Sequence, residues 1–165
     1  MISFLRSIAE AFVAQDSPRQ LSAGFVLGAA AGLVPKSSLL AHALLVVLAA
    51  SEASMASGTL AAAIFSAVAA FADPLLHPVG LFLLSRSALR PLWTWLYNLP
   101  VVPWTEFNNT VVLGALVVSA VLAYPLYRVM LPLFAAYGEK IGERIRRFKV
   151  IKLLLGANIA SKVAG

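Results

Sequence analysis

The chain predicts an all-helical integral membrane protein, on three observations. Of its 165 residues, 61% are apolar and only 12% are charged, about half the charged share of an ordinary soluble domain. Mean hydropathy is +0.88, which implies more apolar surface than a globule of this length can bury. The charges also bracket long uncharged runs. Lys36 is the only charge between Arg19 and Glu52, and residues 53–72, 74–85, 91–105 and 107–127 carry none. Such a composition excludes intrinsic disorder and argues against an extended aqueous enzyme. The expected architecture is two broken, re-entrant helical hairpins plus two crossing helices, arranged as an inverted repeat. Four simple transmembrane helices are the plainer alternative.

Residues 1–19 predict an amphipathic interfacial helix. Ile2, Leu5, Ile8, Ala9, Phe12 and Val13 recur at helical spacing, while Arg6 and Glu10 interrupt the apolar core a cleavable signal would need. Ser17 then suits an N-cap and Pro18 the first helical position.

Residues 20–50 would cover about 46 Å as one helix. That is too long for a straight span and too short for two spans with a turn. Pro35 removes a backbone donor and disfavours helix at Val34, and Ser37 or Ser38 can cap a new helix. A re-entrant hairpin, 20–34 and 37–50, fits this pattern, with one kinked, tilted helix as the alternative. A broken backbone at membrane depth has to be buried in protein or line a wet cavity.

Residues 55–72 read as a crossing that ends at Asp73-Pro74, where a new element is expected to start. That element runs from Leu75 to Leu89 and is broken at Arg90-Pro91. Trp93, Trp95, Tyr97 and Trp104 follow, and such a cluster is typical of the membrane interface. Segment 74–104 is thus expected to be a second broken hairpin, entering from the far side. Residues 107–136 are the clearest span, interrupted by Pro125 and Pro132. The membrane domain is 20–136, and 137–165 is a basic helical tail.

The net charge of +6 is localised. From Gly138 onward seven basic residues face two acids, a balance of +5, which leaves +1 for the first 137 residues. Basic flanks stay on the cytoplasmic side, so both termini are expected in the cytoplasm, with the chain multi-pass in a bacterial inner membrane. The tail can also rest on anionic headgroups. No aromatic platform accompanies it, so nucleic acid is not an expected partner. Cysteine is absent, which excludes disulfides, a thiol nucleophile and thiolate metal sites. The two histidines sit in no carboxylate cluster, so no metal site is expected. There is no nucleophile elbow, Walker loop or dinucleotide fingerprint. Neither an enzyme nor a cofactor is expected.

The residues costly to place in a membrane are few. Lys36 at a hairpin tip near the midplane would cost about 2.5–3.5 kcal/mol. It could bind an anionic headgroup, pair with Asp73 or Glu52, or snorkel to an interface. Arg86 and Arg90 share one helical face. With Lys36 they could form a three-cation pocket, the arginines gripping phosphate as forks and the lysine as a point charge; otherwise they anchor an interfacial helix. Asp73 and His77, also four apart, could couple protons, or serve as an N-cap and a surface histidine. Glu106, Asn108 and Asn109 suit the start of the last helix; the two asparagines could instead offer donors and acceptors to a polar ligand. Arg128 reads as a snorkelling residue. Gly24, Gly28 and Gly32 lie on one face, for packing against 37–50 or 55–72, or against a second copy in a homodimer.

Gly24-Phe25-Val26-Leu27-Gly28-Ala29-Ala30-Ala31-Gly32-Leu33-Val34-Pro35-Lys36 resembles the opening of a bacterial inner-membrane family of unknown function, whose Gly-rich apolar segment ends in a proline at the turn. Asp73-Pro74-Leu75-Leu76-His77, Leu92-Trp93-Thr94-Trp95-Leu96-Tyr97-Asn98 and Phe107-Asn108-Asn109-Thr110-Val111-Val112-Leu113-Gly114 resemble a subgroup of about this size. The likeness covers residues 20–136 and implies a compact inner-membrane protein without an assigned catalytic residue. In architecture alone, the paired broken hairpins resemble small lipid-flipping proteins with re-entrant helices. The expected function is a small transporter or flippase for an anionic, lipid-like substrate. The alternative is a membrane subunit or scaffold of a larger envelope or lipid-transport complex, with a membrane or periplasmic protein as partner.

Overall fold

The computed structural model describes residues 16–146, with side chains to residue 137. The segment expected to form an interfacial helix lies mostly outside the described residues, as does the basic tail beyond Arg146. What is described is helical throughout. Five α-helices follow in order: α1 (Pro18–Leu33), α2 (Leu39–Ala50), α3 (Met55–Leu84), α4 (Arg90–Tyr97) and α5 (Thr110–Arg146). Short 3-10 turns at Ser87–Leu89 and Val102–Thr105 flank α4.

Each early helix starts where a serine closes it. Ser17 and Gln20 form a reciprocal capping box, with Gln20 N–H donating to Ser17 Oγ at 3.3 Å and Ser17 N–H to Gln20 Oε1 at 2.9 Å. α1 ends at extended Val34, directly before Pro35, because proline disfavours helix in the residue before it. Ser38 accepts from Leu40 N–H at 3.1 Å and starts α2. Ser54 accepts from Ser57 N–H at 3.3 Å and starts α3. The expected break of 20–50 into two helices is present.

The expected start at Asp73-Pro74 is not. α3 is one helix of 30 residues that contains Pro74 and Pro78, about 45 Å long. The proposed crossing 55–72 and the front of the proposed second hairpin are therefore one element. Asp73 is mid-helix and is not an N-cap. The reason is tertiary. Both prolines are exposed, four apart on one face, so their rings and freed carbonyls point away from the protein. The opposite side is held by α5, since Leu76 and Gly80 are buried against it. Only the far part of the expected second hairpin remains, as the turn after Leu84, short α4 and the chain returning to α5. Pro125 and Pro132 likewise lie inside α5 and do not interrupt it. The first residues assigned to the tail continue that helix to Arg146.

α3 organises the packing. α1 runs parallel to its first half: Gly24 sits on the Ser54 carbonyl, Gly28 on the Gly58 backbone, and Gly32 on Ala62 and Phe65. A Cβ at Gly28 would collide with that backbone, so glycine is what allows the approach. α5 runs antiparallel to the second half of α3, Gly80 meeting the Thr110 backbone and Gly114 the Leu76 carbonyl. Phe25 stacks edge-on with Phe65 at 6.0 Å and Phe134 at 6.1 Å, tying α1 to both long helices. The core lies around the end of α1, with Leu33, Val34, Ala41, Leu76, Val112 and Ala115. Met55–Leu84 and Thr110–Tyr137 are each long and apolar enough to cross a membrane, by length and composition. Their outward sides carry large apolar groups; Phe71 is 84% exposed and Leu75 73%.

Candidate functional site

The α1–α2 turn is closed by its own polar groups. The last carbonyls of α1 have no partner within the helix, and a cation suits that end of the helix dipole. Lys36 Nζ donates to the carbonyls of Ala31 at 2.5 Å, Gly32 at 3.0 Å and Val34 at 3.1 Å. An ammonium has three donors, so all three are engaged. The alternative pairing of Lys36 with Asp73 or Glu52 is not formed.

The same turn is fastened to the chain that leads into α5. Buried Ser38 donates through Oγ to the Thr105 carbonyl at 2.6 Å, and Ser37 Oγ donates to Glu106 Oε2 at 3.1 Å. Glu106 has φ 54°, a left-handed conformation that costs a side-chain-bearing residue about 1–2 kcal/mol. That reversal turns the chain from the 3-10 turn into α5. Asn109 N–H donates to the Glu106 carbonyl at 2.8 Å, and Asn109 Oδ1 accepts from Val111 N–H at 2.9 Å. Asn109 is thus engaged in capping. Asn108 is exposed.

Phe107, buried in this loop, anchors α4. Its ring lies 6.1 Å from Trp93 and 6.5 Å from Tyr97, and Trp93 Nε1 donates to the Leu83 carbonyl at 3.1 Å. With Trp93 half-buried and Tyr97 against Phe107, the adjoining side of α4 is open. Arg90, Pro91, Thr94, Trp95 and Asn98 line a shallow groove of about 590 Å³ there, together with Ser87. Arg86 lies outside the groove lining, its guanidinium 3.9 Å above the Phe82 ring, a cation–π contact. Lys36, Arg86 and Arg90 therefore each have separate surroundings: a helix end, an aromatic ring and an open groove.

Asp73 is half-buried on α3. One turn on, His77 Nδ1 lies 2.7 Å from Thr110 Oγ1 and links α3 to the start of α5. Arg128 is exposed on α5. Two features escaped the reading of the sequence. Ser57 Oγ donates to the Leu21 carbonyl at 2.7 Å, and Ser54 N–H to the Gln20 carbonyl at 2.9 Å, so the α1–α3 seam is bonded as well as close. The signal was present: Ser54, Gly58, Ala62 and Ser66 recur every four residues, matching the glycines of α1. Ser119 Oγ is buried on α5 without a hydrogen-bond partner, and no sequence signal marks it.

The chain is 27% identical over 162 residues to an uncharacterised protein of Treponema pallidum (strain Nichols), covering 98% of this chain and 100% of that one. The likeness thus runs end to end, and it carries no assigned activity. No protein-family model matches the chain, and no solved structure matches it.

Proposed function

We propose that the chain is an integral membrane protein in which α3 and α5 cross the bilayer and the α1–α2 hairpin enters from the side where α3 begins. We further propose that it is a small transporter or flippase of an anionic, lipid-like substrate. The hairpin carries this reading. Its helices, of 16 and 12 residues, reach about 24 and 18 Å, short of a hydrocarbon core of about 30 Å. Yet α2 presents Leu45, Val46 and Val47 outward, apolar surface suited to lipid. Its broken backbone is covered by bonds to Thr105 and Glu106, as interrupted helices in a bilayer require. Broken elements that meet inside a bundle are the places where transporters handle substrate.

Orientation follows from the basic residues after Gly138, which favour the cytoplasm. The start of α1 and the end of α5 then share the cytoplasmic side, and α4 with its tryptophans lies at the outer face of a bacterial inner membrane. Partners on this reading are membrane lipids.

The test is reconstitution into vesicles containing a fluorescent-headgroup anionic phospholipid, with dithionite added outside. In protein-free vesicles only outer-leaflet label is bleached. The reading expects inner-leaflet label to be bleached as well once the protein is present. Bleaching no deeper than in protein-free vesicles sinks transport and favours the alternative, a membrane subunit of a larger complex. Recovery of a stoichiometric membrane or periplasmic partner in mild detergent would support that alternative.

A further inference from the structure

We infer that the open side of α4, with Arg86 beside it, is a binding site for the headgroup of an anionic phospholipid. The inference rests on the membrane reading above and names where such a substrate is held. Its first support is charge. Residues 74–105 contain Arg86 and Arg90 and not one Asp or Glu, so nothing nearby in sequence neutralises the two guanidinium groups. Neither arginine forms an ion pair among the described residues. Arg90 at the start of α4 and Arg86, extended just before the 3-10 turn that leads into it, are two unmatched cations that complement a phosphate.

The second support is the arrangement of α4. Trp93 and Tyr97 fix one side of the helix against Phe107. Arg90, Thr94 and Asn98, spaced four apart, form a row on the adjoining side. Thr94 Oγ1 donates to the Arg90 carbonyl at 3.0 Å, and Asn98 Nδ2 to the Thr94 carbonyl at 2.8 Å. Those bonds settle the polar row along the helix and leave the Arg90 guanidinium as its outward donor. The Arg86 guanidinium carbon sits 3.9 Å over the Phe82 ring, a contact that uses none of its N–H donors for an anion and leaves them for phosphate.

The third support separates a lipid from a free anion. The groove is shallow and open, with no wall to retain a small ion. Trp95 beside it is 60% exposed and Trp104 72%. Indoles with an apolar body and a polar N–H favour the level of the headgroups. Lys36 is not part of this site, because its three donors are held by α1.

The experiment is native mass spectrometry of the full chain released from nanodiscs containing equal phosphatidylglycerol and phosphatidylcholine. Wild type should retain phosphatidylglycerol preferentially. Arg86→Gln/Arg90→Gln should lower that preference, by about fivefold for each arginine removed, the effect of a basic side chain near an anionic surface. Both side chains are exposed, so the variant should fold, and Arg90→Gln alone should lose about fivefold. An unchanged preference in the double variant overturns the inference while leaving the membrane reading intact. A chain that does not enter nanodiscs overturns both.

Discussion

Lys36 shows how a costly residue can be put to use by the fold itself. Its ammonium closes the carbonyl end of α1, where a cation is favoured. Lys36→Met should lower stability by about 1–2 kcal/mol, seen as a lower unfolding midpoint in detergent, and should leave lipid preference unchanged. Loss of lipid preference at unchanged stability would place the lysine on substrate instead. Gly28 is the other residue with a sharp expectation. A Cβ there would meet the Gly58 backbone, which cannot swing aside as a flexible side chain can. Gly28→Ala should cost about 1–3 kcal/mol in the same measurement. The sequence marked both positions, Lys36 by its expense in an apolar segment and Gly28 by its place in a four-residue repeat. It did not show their partners. Lys36 folds back because of how the turn at Val34–Ser38 is shaped, and Gly28 meets α3 because a second repeat, Ser54 to Ser66, lies parallel to the first.

α3 is where local rules and packing disagree. Asp73-Pro74 has the composition of a helix start, and the residue before proline resists helix. The helix continues because its inner side, Leu76 and Gly80, is seated on α5, while Pro74 and Pro78 keep their missing donors on the outer side. Two outcomes follow. Spin labels at exposed Leu60 and Leu81 should report an axial separation of about 32 Å; a chain that reversed at residue 73 would bring them within about 20 Å. Asp73→Ala should leave stability unchanged or slightly raised, since alanine is the best helix former. Loss of an N-cap aspartate would cost about 1 kcal/mol. The first hairpin, by contrast, was legible, because Pro35 is followed at once by serines that can cap. The seat of Glu106 was not legible, since its side-chain partner, Ser37, is 69 residues away.

In the whole molecule, α3 pairs with α1 along one half and with α5 along the other, and both seams are lined by small residues. The last long helix was legible from hydropathy as the span 107–136, whereas α3 reads in sequence as a crossing that stops at Asp73. On the proposed topology the α3–α5 pair crosses a membrane with the α1–α2 turn enclosed between its two sides. The chain has no cysteine, so single cysteines report cleanly. A bulky, membrane-impermeant maleimide applied to intact cells should label Trp104→Cys. Glu52→Cys should react only after the cytoplasmic side is opened, and Ser37→Cys should stay slow from that side. Labelling of positions 52 and 104 from the same side, or of position 37 as fast as position 52, would contradict this topology.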